Sequence, residues 1–140
     1  MLFRSSQKGR MNLQGDLITF LKAIAGMSAK TPRIYWLEAP QGCLLPYVTA
    51  FQVAGDIGVN HSGSDGMQMA RVQVDCRAAT FAEARAIRDL IEAALKGYRG
   101  TMTGTTVDAV FPSNPMDFVE DTEPKTYRAL EDFEIQFRKP

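Results

Sequence analysis

The chain has 140 residues, 45% hydrophobic and 23% charged, with 16 Lys plus Arg balanced by 16 Asp plus Glu. That length suits a single domain around one core, a net charge of zero gives no overall field to draw in nucleic acid, and no run approaches the about 20 apolar residues that span a bilayer. A sequence-specific nucleic-acid binder and an integral membrane protein are therefore set aside, and Cys43 and Cys76 are too few, and wrongly spaced, for a disulfide framework or a CxxC site.

Residues 1–11 hold Arg4, Lys8 and Arg10 with no acid and no long apolar run, which reads as a flexible arm or an upstream start rather than a secretory signal. A single α+β domain is expected over 12–140. Leu13, Leu17, Phe20, Leu21 and Ile24 recur at spacings of three and four, so an amphipathic helix is expected over 12–25, capped by Asn12 and ended by Gly26. RIYWLE at 33–38 follows Pro32 and favours a strand. Ala39-Pro40-Gln41-Gly42 then breaks the pattern, and 46–53 resumes it with Tyr47, Thr49, Phe51 and Val53 on one side.

The stretch 55–68 contains four glycines with Asp, Asn and Ser, so it offers no periodic apolar face and predicts a long mobile loop. Its exit is the clearest strand of the chain. Over 69–78, Ala70, Val72, Val74, Cys76 and Ala78 point one way, and Met69, Arg71, Gln73, Asp75 and Arg77 the other.

Thr80-Phe81-Ala82-Glu83 has the form of a capping box. The helix it opens should bury Phe81, Ala84, Ile87, Leu90, Ile91, Ala94 and Leu95, expose Glu83, Arg85, Arg88, Asp89 and Glu92, and stop at Gly97. A strand is expected over 105–111, ended by Pro112-Ser113-Asn114-Pro115, and a last one over 126–138 whose apolar face is broken only by Glu131. The order predicts an α+β fold, a mostly antiparallel sheet of about five strands with two helices on one face.

No catalytic constellation emerges. His61 is the one histidine, with Asp56 and Asp65 near it in sequence, but a mobile loop does not hold acid–base groups in register. The loop leads into a strand and has no lysine, so its glycines are not a phosphate cradle. Asn60-His61-Ser62 matches a glycosylation acceptor without a secretory signal to accompany it. The acids of 117–123 lack the spacing and glycine of a calcium loop. Tyr35, Trp36 and Tyr47 suggest a stacking platform, yet no basic groove goes with them, so packing is the better reading. Both cysteines read as small core residues. The expectation is no catalytic residue, no cofactor and no metal: an assembly part.

Three segments then carry a resemblance: APQGCLLPYVTAF at 39–51, ARVQVDCRAATFAEARAIRDLIEAAL at 70–95, and TEPKTYRALEDFEIQFRK at 122–139. The entry Pro40, Gly42, Leu45, Pro46, Tyr47, the RVQVD strand running into TFAEA, and the closing Tyr127, Arg128, Asp132, Phe133, Ile135 are together similar to the tail completion, or head–tail joining, proteins of long-tailed bacteriophages and prophages. The resemblance implies a tail terminator-like subunit that forms a ring, usually of six copies, at the head-proximal end of the tail. It also implies tube protein and head connector as partners, and a place in the virion after assembly in the bacterial host cytoplasm.

Interfaces are then expected in the loop, at Asp56, Asn60, His61, Ser62, Asp65 and Met67, and on the polar strand face, at Arg71, Gln73 and Asp75. Arg77, Arg128, Asp132, Glu134 and Gln136 add mixed charges for heterologous pairing. The alternatives are a head-side connector or stopper of the same particle and, from a different class, a small ligand-binding or enzymatic domain built around His61.

Overall fold

The computed structural model of the chain describes residues 13–56, 67–121 and 125–138. The elements are α1 (Leu13–Lys22), α2 (Met27–Lys30), β1 (Ile34–Trp36), β2 (Tyr47–Asp56), β3 (Met67–Ala78), α3 (Phe81–Leu95), β4 (Gly100–Met102), β5 (Thr105–Glu120) and β6 (Thr126–Arg138). The strands form one sheet in the order β1-β2-β3-β6-β5-β4. All neighbours are antiparallel except β1 and β2, which run parallel, so the sheet is mixed.

The class is α+β as expected, and the described residues hold six strands rather than about five and three helices rather than two. The additions, α2 and β4, are too short to show a period in sequence. β5 runs straight through Pro112-Ser113-Asn114-Pro115 where its end was expected: Pro112 stays in register opposite Phe133, and Pro115 falls in a register shift between Ser113 and Met116 with Asn114 at φ 55°. Proline is tolerated there because β4 pairs only with Thr105, Thr106 and Val107, leaving the rest of β5 at the sheet edge. β2 and β3 also reach further than the sequence suggests, pairing Asp56 with Met69, so the connection between them is shorter than 55–68.

One face of the sheet holds the core. Leu17 and Leu21 of α1, Ile87, Ile91 and Leu95 of α3, and Val48, Val72, Val74, Cys76, Phe133 and Ile135 of the strands are all sealed from solvent. The alternation read over 69–78 is thus correct for the apolar side. Thr80 caps α3 by accepting a hydrogen bond from the Glu83 amide at 3.2 Å. α1 is anchored at the far end of the sheet, where Asp16 accepts hydrogen bonds from Thr105 Oγ1 at 2.6 Å and the Gly104 amide at 3.3 Å. It ends at Lys22, short of the expected 25, and Gly26, at φ 89°, makes the turn into α2.

Two charged residues lie on the core side. Arg88, expected on the wet side of α3, is 6% exposed: Ala78, Ala84 and Ala129 leave room for its side chain to reach Asp117 on β5 at 2.8 Å. Glu131, the polar interruption of β6, is 2% exposed, and its Oε1 has no hydrogen-bond partner. Burial first, then the charges of Glu92, Asp89 and Asp132, push its carboxyl up to about 7 against the opposing pull of Arg88.

This gives a pH dependence with a definite sign. The folded chain binds the Glu131 proton more tightly than the unfolded chain, so this contribution is fully present below the ordinary carboxylate range and is lost as pH rises to about 7. The loss is on the order of 1–3 kcal/mol. Glu131→Gln should therefore raise the melting temperature by a few degrees at pH 8 and change it little at pH 5. Equal shifts at both pH values would contradict this.

Candidate functional site

Among the described residues, no helix lies over the opposite face of the sheet, which carries a cluster of charged side chains. Strand alternation places Asp75 and Arg77 of β3 and Arg128 of β6 there, and the register sets Tyr47, Arg77, Arg128 and Phe118 in one row across four strands. Two arginines directly opposite each other repel unless something bridges them. The bridge is Asp75, only 1% exposed. Its carboxylate accepts hydrogen bonds from Arg77 Nε and Nη2 at 3.2 and 3.1 Å and from Arg128 Nη2 and Nε at 2.8 and 3.3 Å.

Glu120 closes the ring of charges. It accepts from Arg128 Nη1 at 3.2 Å and lies 3.5 Å from Arg77 Nη1. Tyr47 and Phe118 cover the guanidiniums, with ring centres 5.8 Å from Arg77 and 5.7 Å from Arg128. Burial works against the Arg128 charge, but the hydrogen bonds and charges of Asp75 and Glu120 more than offset it and hold its pKa above the ordinary value. Farther along the face, Gln73 Nε2 donates to Asp132 Oδ1 at 2.9 Å.

Beside this cluster lies an open cleft of about 400 Å³, lined by residues 37–43 together with Tyr47, Thr49 and Arg77. The Arg77 guanidinium is already engaged by Asp75 and Glu120, and the other ionisable side chains of the lining are Glu38, Cys43 and Tyr47. Cys43 is half-buried at its wall, 3.8 Å from the Tyr35 hydroxyl, rather than in the core as expected. Cys76 is in the core, where burial pushes its thiol up, away from the reactive thiolate. Among the described residues, no three His, Cys, Asp or Glu side chains gather to hold a metal. Nor, among them, is any helix long and apolar enough to cross a membrane.

Of the interface residues expected from sequence, Asn60, His61, Ser62 and Asp65 lie outside the described residues. Asp56 and Met67 stand at the facing ends of β2 and β3, at the base of that connection. Arg71 is exposed, opposite Glu134 of β6. Gln73 and Asp75 are on the expected face, but their polar atoms are engaged within the chain, and Asp75 is buried where a wet residue was expected. The aromatic trio does not form one platform, since Trp36 packs against the core while Tyr35 aligns with Thr49 on the other face. Glu120 and Phe118 escape the sequence reading because they follow the prolines taken to end β5. The β-favouring pair Phe118-Val119 is the signal that would extend it.

The family described as "Tail completion protein gp17" matches residues 15–138. Comparison with curated proteins gives no match. Among solved structures, a chain from the virion of a native gene transfer agent particle superposes with a TM-score of 0.71 at 17% identity, covering 90% of this chain and 94% of that one. A second aligns with a TM-score of 0.53 at 14% identity, over 91% and 97%. At these identities the likeness is one of fold. The family match, spanning every element described above but the first two residues of α1, is what assigns the chain: it belongs to the tail completion protein gp17 family and is a structural protein of phage-type tails.

Proposed function

We propose that this protein completes the tail of a phage-type particle and joins it to the head connector, as a ring of identical copies acting through protein contacts and without an enzymatic step. The observation that carries the reading is the family match over residues 15–138. The fold shared with a chain of the gene transfer agent virion supports it. So does a charged face whose acids and arginines neutralise one another, as a surface held in shape for contact requires. The partners are other copies of the chain, the tail tube protein and the head connector. The site of action is the tail end or neck of the virion, after assembly in the host cytoplasm.

The connection between β2 and β3 is proposed to contact the tube or connector, with Asp56, Asn60, His61, Ser62, Asp65 and Met67 contributing, and with Arg71, Gln73 and Asp75 farther along β3 on its polar face. Deletion of residues 62–66 should leave the melting temperature within a few degrees of the parent, because it removes no residue of β2 or β3. Gradient separation of heads and tails from a lysate should find the parent chain with tails and the deletion variant unattached. An attached deletion variant removes the loop from the interface, and a parent chain found with heads favours the head-side stopper instead.

A further inference from the structure

β1 and β5 end the same rows of the sheet. The rows Tyr35–Thr49–Asp75–Leu130–Met116 and Ile34–Val48–Cys76–Ala129–Asp117 run from one to the other, about 19 Å across four strand spacings. β1 is outermost on its side, and at this level β4 no longer covers β5. Both edges are apolar and exposed. Leu37 and Leu44 follow β1 with 65% and 69% exposure, and Phe118 and Val119 stand on β5 with 48% and 52%. Exposed apolar side chains clustered at two edges of one small chain are the mark of a contact surface.

The β1 side is held ready for contact. The Leu37 amide donates to the Ala50 carbonyl at 2.7 Å, with Leu37 in the left-handed region at φ 76°, a conformation that leucine adopts only under tertiary constraint. Arg33 Nε donates to the carbonyls of Leu44 and Pro46 at 3.0 and 3.2 Å, pinning the far end of the loop. Those carbonyls orient the guanidinium without cancelling its charge, so Arg33, with Lys30, gives the entry of β1 a basic rim, while Glu38 is an exposed acid just past its exit. Beyond Phe118 and Val119 come Glu120, partly neutralised by Arg77 and Arg128, and, just past the strand, exposed Asp121, which together make an acidic rim. β1 runs parallel to β2, and three antiparallel steps separate β2 from β5, so β1 and β5 point in opposite directions. Copies related by rotation about an axis along the strands keep these directions, and β1 of one copy then meets β5 of the next antiparallel, basic rim against acidic rim.

We propose that β1 and residues 37–44 of one copy dock on residues 116–121 of β5 and its exit in a second copy, a heterologous contact that repeats around a ring. The proposal rests on the ring reading above and specifies its interface.

The test uses the full chain in a Cys43→Ser background, leaving only the buried Cys76. Leu44→Cys, Val119→Cys and the double variant are treated with a short bis-maleimide, both as purified protein and in isolated tails. The double variant should give a ladder of covalent oligomers, mixing the two single variants should give dimers, and neither single variant alone should cross-link. A double variant with no ladder in either setting overturns the proposal. So does dimerisation of one single variant alone, which marks an isologous contact. A ladder from purified protein, with the chain missing from tails, sustains the interface while removing the tail reading.

Discussion

Val74→Asp is expected to yield no folded protein. Val74 is sealed in the middle of β3, and the register sets it directly opposite Glu131 of β6, whose buried carboxyl already lacks a partner for one oxygen. A second carboxyl at this place is desolvated, has no guanidinium on the core side except Arg88, already held by Asp117, and repels the first. The cost is about 4 kcal/mol or more, a large part of the 5–15 kcal/mol that holds a domain together. Soluble yield and circular dichroism read the result. A soluble variant with the parent spectrum would mean that β3 presents its other face to the helices.

Asp75→Ala should be the most damaging change on the open face. It leaves Arg77 and Arg128 directly opposite each other across β3 and β6, with Glu120 alone between them. Removing one partner from a buried ion cluster costs about 3 kcal/mol, because the charges left behind lose their match. For a chain of this size the melting temperature should fall by on the order of 10 °C. Replacing all three residues, Asp75, Arg77 and Arg128, with apolar side chains should recover most of that loss. A single-variant shift below 2 °C would show that Glu120 suffices as the bridge.

β3 and the start of α3 were legible because their signals are local. A period of two over 69–78 and the Thr80–Glu83 cap depend on residues a few positions apart, and the structure shows the apolar side of the first and the Thr80 half of the second. Other features depend on distant neighbours. The burial of Asp75 follows from two arginines, one of them 53 residues away. The burial of Arg88 follows from three alanines on different elements. The passage of β5 through two prolines follows from its place at the sheet edge, which the local sequence does not display. The family, in contrast, was legible because three well-separated segments carry it in order, and the match over 15–138 includes nearly all of them.

The central claim is that this chain completes tails and joins them to heads. Electron microscopy of a lysate in which its gene carries an early stop codon at Leu17 tests that most directly. Filled heads beside unjoined tails are the expected result, with overlong tails if the chain also ends tube growth. Normal, infectious particles in that lysate would contradict the account.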